Sequence, residues 1–199
     1  MAEAANPSEA AGPGERPLAG REVLLCATGG IACYKAADLA SKLVRAGAGV
    51  SVALSAAAQR FVCPLTFQAL TARAVHTTLW ADARPADVEH IALTDRAELL
   101  IVAPATANIL AKLAAGLADD LVSTLALAAQ GACPILLAPA MNTRMWLAPS
   151  TEANVARLGE WGMHFVGPAE GRLACGTTGP GRMAEPDEIL AHAVAILSA

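Results

Sequence analysis

Glu22-Val23-Leu24-Leu25-Cys26-Ala27-Thr28-Gly29-Gly30-Ile31 is an apolar run of strand length that closes on Thr-Gly-Gly. A run so short and so continuously apolar predicts a parallel strand covered on both faces, because a half-exposed strand alternates apolar with polar residues. The next stretch changes period. Over 31–46, Leu39 and Leu43 share a face with Ala36 and Ala40, Lys35, Lys42 and Arg45 point toward solvent, and Gly47 supplies a stop. Strand, glycine turn and helix form the first half of a βαβ unit. In such a turn, glycine lets backbone amides approach an anion, and the helix N-terminus favours negative charge, so Gly29 and Gly30 are candidates for a phosphate site. The spacing is not GxGxxG, and a tight strand-to-helix turn accounts for the same residues equally well.

Working outward, the alternation repeats. Short apolar runs at 50–55, 99–104, 134–139 and 163–167 read as further strands, and segments of helical period fall at 65–71, 107–114, 119–129, 151–161 and 186–197. With right-handed crossovers this predicts an α/β fold, a single three-layer, doubly wound, Rossmann-like parallel sheet without internal repeats. The chain of 199 residues fits one domain. Residues 1–20, mostly Ala, Pro, Gly, Ser and Glu without periodicity, are expected as a disordered tail, and 21–199 as the domain.

Composition excludes several functional classes. The net charge is −4 and no run of Lys or Arg occurs, so the electrostatic footprint of a nucleic-acid binder is missing. No apolar stretch approaches the roughly 18 residues of a spanning helix, so no membrane partner is expected. Cys26, Cys33, Cys63, Cys133 and Cys175 are odd in number, scattered and without a CxxC pair, which argues against a disulfide framework and against a zinc site. Residues 1–20 also lack the apolar core of a secretion signal. A reducing, cytoplasmic setting is expected.

In an open α/β sheet, ligands sit beyond the carboxyl ends of the strands. Ser55 ends the second run, where it can meet an anion or simply cap a helix. Pro104-Ala105-Thr106-Ala107-Asn108 ends the third with small and hydrogen-bonding groups, suited to a planar ring lying on backbone or to an ordinary N-cap. Pro139-Ala140-Met141-Asn142-Thr143-Arg144-Met145-Trp146 places an amide, two thioethers and an indole within one turn. Asn142 can donate to a carboxylate, while Met141, Met145 and Trp146 fit a binding surface or a core. His90, ahead of the third run, has the side chain for a proton acceptor or an anion-orienting group, although a lone histidine is more often structural. The stretch 171–183 sets Cys175 among four glycines, which predicts a mobile flap carrying an accessible thiol.

Together these segments resemble the homo-oligomeric flavin-containing cysteine decarboxylases, a family of phosphopantothenoylcysteine and peptidyl-cysteine decarboxylases. The match runs from about Arg21 to the C-terminus. Residues 139–146 reproduce the family's PxMNxxMW pattern, supported by Gly29-Gly30, His90-Ile91, residues 104–108 and Leu173-Ala174-Cys175-Gly176. The resemblance implies FMN held by Gly29, Gly30, Ser55, Thr106, Ala107 and Asn108. It also implies a small-molecule or peptide thiol substrate faced by His90, Asn142, Met145 and Cys175, and a homotrimer or a homododecamer with sites shared between chains. The implied reaction oxidises the carbon bearing sulfur to a thioaldehyde, whose C=S group takes up the electrons released on decarboxylation. An enethiol results, and in the coenzyme A pathway enzymes the lid cysteine protonates it as it is reduced. Two positions depart from the family pattern: Ala92, where Glu is common, and Thr177, where Asp is common. The implied function is decarboxylation of phosphopantothenoylcysteine. The alternatives are oxidative decarboxylation of a C-terminal peptidyl cysteine and, more distantly, flavin prenylation.

Overall fold

The computed structural model describes residues 16–80, 89–172, 176 and 178–199. Six parallel strands form one sheet in the order β3-β2-β1-β4-β5-β6: β1 (Glu22–Ala27), β2 (Gly49–Leu54), β3 (Val75–His76), β4 (Leu99–Ala105), β5 (Ile135–Pro139) and β6 (His164–Phe165). This is the doubly wound order, and its direction reverses between β1 and β4. The five strands expected from the sequence all form, within two residues of their predicted ends. The two-residue edge strand β3 lies in a segment too short and too polar to stand out by periodicity.

Helices cover both faces. On one side lie α1 (Cys33–Arg45), α2 (Pro64–Thr71) and α8 (Pro186–Ser198), and on the other α3 (Glu89–Arg96), α4 (Ala107–Ala115), α5 (Leu121–Ala129) and α7 (Pro149–Glu160). The strands explain their own composition: Val23, Leu25 and Ala27 pack into the first layer, while Leu24 and Cys26 pack into the second. β4 divides in the same way, with Leu99, Ile101 and Ala103 against Leu100, Val102 and Ala105. Each fully buried leucine here is worth about 1.5–3 kcal/mol relative to exposure. A polar residue on either face would forfeit that, hence the continuous apolar runs.

Three expectations are corrected. Residues 16–20 belong to the fold and not to a tail, because Leu18 is fully buried and its N–H donates to the Ala46 carbonyl at 2.9 Å. Lys35 does not reach solvent: it is buried, and its ammonium donates to the Met183 carbonyl at 3.2 Å and to Glu185 Oε1 at 2.9 Å. The stretch 171–183, expected as a flap throughout, has structure at both ends. β7 (Ala169–Arg172) and β8 (Thr178–Arg182) pair antiparallel as a separate two-stranded arm. Cys175 and Thr177, with Leu173 and Ala174, lie outside the described residues.

The segment around His90 is also helical, as α3, a helix that the sequence reading did not anticipate. Residues 143–146 form the one-turn helix α6 (Thr143–Trp146).

Candidate functional site

A cleft of about 1110 Å³ opens at the carboxyl ends of β1, β2, β4 and β5, at the point where the strand order reverses. Eight of the sequence-predicted residues line it: Gly29, Gly30, Ser55, Thr106, Ala107, Asn108, Asn142 and Met145. His90 does not line it. The histidine sits half-buried on α3, with exposed Ile91 beside it. Cys175 lies outside the described residues.

Hydrogen bonds tie the two central strand ends together. Thr28 Oγ1 donates to the Pro104 carbonyl at 2.6 Å and lies 3.2 Å from Thr106 Oγ1, while the Thr106 N–H donates back to Thr28 Oγ1 at 3.3 Å. Thr106 also caps α4, its hydroxyl accepting from the Ile109 N–H. Ser55 Oγ accepts from the Ala58 N–H at 3.1 Å, as the cap of a short turn. Thr106 and Ser55 thus each cap a helical turn and also line the cleft.

The two glycines of the first turn differ in their reasons. A Cβ on Gly29 would overlap Ala57, so close packing of the β2 loop demands glycine there. A Cβ on Gly30 would meet nothing nearer than Thr106 Cγ2 at 3.6 Å, an ordinary contact. Protein packing does not require that glycine. Among the described residues, the amide N–H groups of Gly29, Gly30 and Ile31 find no acceptor at the start of α1. Unpartnered amides, a helix N-terminus and the nearby Ser55 hydroxyl are the donor set an anion needs.

At the other wall, Asn142 caps α6, its Oδ1 accepting from the Arg144 N–H at 2.9 Å. That bond fixes which end of the amide is acceptor and which is donor. The loop is pinned to the β7–β8 arm by the Met141 N–H, which donates to the Gly181 carbonyl at 2.9 Å.

Several lining residues were not singled out by sequence. Lys35, Lys112, Arg172 and Arg182 line the cleft against one acid, Asp120, in a chain of net charge −4. Lys112 donates to Asp119 Oδ1 at 2.7 Å and Asp120 Oδ2 at 2.6 Å. Burial works to raise the Asp120 carboxyl, but the bonds from Lys112 and the Ser123 amide outweigh it and hold the group below the usual carboxylate range. Glu185 is also held low, by Lys35 and then Arg182. Lys35 follows the glycine turn and Arg172 and Arg182 lie within the 171–183 stretch, but only the fold brings them, with Lys112, to one cleft. Among the described residues, no cluster of His, Cys, Asp or Glu is arranged to hold a metal.

The comparisons agree with this geometry. The family model described as Flavoprotein matches residues 12–198. The coenzyme A biosynthesis bifunctional protein CoaBC of Bacillus subtilis is 50% identical over 173 residues, covering 87% of this chain and 42% of the relative. That of Escherichia coli K12 is 44% identical over 181 residues, covering 91% of this chain and 44% of the relative. The chain thus spans less than half the length of these relatives. Among solved structures, a cysteine mutant of PPC decarboxylase complexed with pantothenoylaminoethenethiol superposes with a TM-score of 0.82 at 32% identity, covering 90% of this chain and 99% of that one. The FMN-dependent cysteine decarboxylase SpaF superposes at 0.78 and 31% identity, covering 92% and 99%.

Proposed function

The chain belongs to the Flavoprotein family, and on that premise we propose that it is an FMN-dependent decarboxylase of phosphopantothenoylcysteine, serving coenzyme A biosynthesis. The observation that carries the reading is the cleft at the strand reversal. One wall offers amides at a helix N-terminus that have no acceptor among the described residues, and the other offers the Asn142 amide.

The residues fit FMN. Gly29, Gly30 and Ser55 would take the phosphate, with Gly30 bare because a ligand and not the protein approaches it. Thr106, Ala107 and Asn108 would line the ring, small side chains leaving room and polar atoms meeting its edge. Bound there, FMN supplies the two-electron oxidation that gives the substrate carbon an electron sink.

The chain's own groups do the rest. The Asn142 amide holds the carboxylate by donation, oriented by its bond to the Arg144 amide. Met145 offers a flexible apolar surface to the thiol. Cys175 would donate the proton while the two electrons taken up in the oxidation are returned to the enethiol as a hydride, giving a saturated carbon. His90 acts as base or anion-positioning group, and because it lies outside the cleft of its own chain, it would serve a neighbouring copy. A homotrimer, alone or within a dodecamer, is the assembly that supplies such neighbours.

The test is incubation of the purified protein with phosphopantothenoylcysteine, following carbon dioxide and product mass. Release of carbon dioxide with a saturated aminothiol product is expected. Turnover of only a peptide ending in Cys would overturn the substrate, and prenylation of FMN by dimethylallyl phosphate would overturn the reaction.

A further inference from the structure

Thr143 breaks a rule that folded chains rarely break. Its Oγ1 is shut off from solvent and finds no hydrogen-bond partner among the described residues. Buried polar groups are almost always paired, and a hydroxyl left unpaired destabilises the state that buries it.

The cover over this hydroxyl is the β7–β8 arm. A Cβ on Gly179 would come within 2.8 Å of Thr143 Oγ1 and 3.1 Å of its Cγ2, so β8 lies directly on the side chain. Pro180, the next residue, has no N–H to donate to it. Gly181 then meets the same loop through the bond from the Met141 N–H at 2.9 Å. The two contacts oppose each other, for the bond holds the arm on the loop and the unpaired hydroxyl favours its release.

The arm can respond because it is tied at one end. It forms its own two-stranded sheet apart from the main one, and a lone ribbon of two strands depends for its place on what it lies against. Its root is held at the β8–α8 corner by buried Lys35, which donates to the Met183 carbonyl at 3.2 Å and to Glu185 at 2.9 Å, and by Arg182 on the same carboxylate. Beyond that corner, the hydrogen bond that the body of the fold gives to β8 among the described residues is the one from Met141.

We propose that Thr143 is a positioning residue that keeps the arm poised between lying on the Asn142 loop and lifting from it. Lifting hydrates the hydroxyl, which offsets the bond lost at Met141. Asn142 caps the helix that Thr143 begins, so a lifted arm uncovers the wall that holds the substrate carboxylate. The part played in turnover rests on that reading of Asn142: the arm lies down for chemistry and lifts for exchange of substrate and product.

The lift is measurable without substrate. The Met141 N–H exchanges with solvent when the arm is off the loop, so deuterium uptake at that amide, read by mass spectrometry on the full chain, reports the lifted fraction. Thr143→Val keeps the shape and removes the hydroxyl, and should slow this exchange about tenfold, the scale of one unpaired buried group. Thr143→Ser keeps the hydroxyl and should exchange at or above the wild-type rate. Exchange in Thr143→Val as fast as wild type, or faster, would overturn the proposal. In the decarboxylation assay Thr143→Val should lower kcat and KM together, by up to about tenfold, with single-turnover release of carbon dioxide unchanged. Slowed exchange with both constants unmoved would overturn the arm's part in turnover. A wild-type chain that decarboxylates no cysteinyl thiol overturns the reading of Asn142 and leaves the exchange comparison to decide the role of Thr143 in the arm. Should Thr143→Val fail to fold, Thr143→Ala against Thr143→Ser repeats the comparison with the methyl absent from both.

Discussion

Met141 and Gly181 are locked together: the Met141 N–H donates to the Gly181 carbonyl, and a Cβ on Gly181 would overlap the Met141 carbonyl oxygen. Gly181 also sits at φ 139°, a region that side-chain-bearing residues avoid. The β7–β8 arm therefore meets the loop of Asn142 backbone to backbone. Gly181→Ala should cost about 1–3 kcal/mol of stability through strain, seen as a lower thermal midpoint. It should also raise KM for the thiol substrate more than it lowers kcat, because the shifted loop carries the carboxylate-holding amide.

Asn142 has two jobs that substitution can separate. As N-cap it needs only an acceptor, which Asp supplies as well as Asn does. As carboxylate holder it needs the amide donor, which Asp replaces with a repelling charge. Asn142→Asp should leave the thermal midpoint near wild type and abolish measurable decarboxylation at neutral pH. Asn142→Ala should lose about 1 kcal/mol of stability as well. An active Asn142→Asp enzyme would remove the residue from substrate binding.

The central sheet was legible because continuous apolar runs have one physical cause, burial on both faces, and Leu24 and Leu25 show it by packing into opposite layers. The glycine turn and the loops at 55, 104–108 and 142 were legible for a similar reason, since strand ends in such a sheet converge on one edge. Three features were hidden. Lys35 read as a solvent-facing residue because helical period reports faces, not the partner waiting on another element 148 residues away. The β7–β8 arm is polar and glycine-rich, so it carries no apolar alternation for its pairing to announce. His90 was singled out by resemblance and by chemistry, and neither could say that it lies away from the cleft of its own chain.

Acid should weaken the fold through Glu22. Its carboxylate accepts two bonds from the Arg73 guanidinium, at 2.6 and 2.8 Å, which hold it below the usual carboxylate range. A carboxyl lowered on folding binds its proton more readily when unfolded. Its contribution is therefore present above the unfolded carboxylate range and lost as pH falls through the folded value. The pair is partly exposed, so about 1 kcal/mol is expected. Urea denaturation of wild type and Glu22→Gln should differ at pH 7 and converge toward pH 3. An equal gap at both would place the effect in packing.

Cys175→Ser should split the reaction in two. A serine hydroxyl is a far weaker acid than a thiol, so proton return to the enethiol should stall while oxidation and loss of carbon dioxide proceed. Mass analysis is expected to find the enethiol accumulating to about one equivalent per site. Saturated product at the wild-type rate would assign the proton to another donor.

If His90 serves a neighbouring chain, two inactive variants should repair each other. His90→Asn spoils the histidine a subunit lends, while Asn142→Asp spoils the cleft it owns. In a trimer assembled from both, some clefts pair an intact Asn142 with an intact His90 from the next copy. Random mixing should recover roughly a quarter of the wild-type activity per site over all trimers, and about a third in the mixed trimers alone. Co-expression of differently tagged subunits, with both tags selected in turn, isolates the mixed oligomers for assay. Recovery cannot arise if cleft and histidine work within one chain, since every subunit then carries one lesion. Activity at the level of the two parents would return His90 to its own cleft and require α3 to move there.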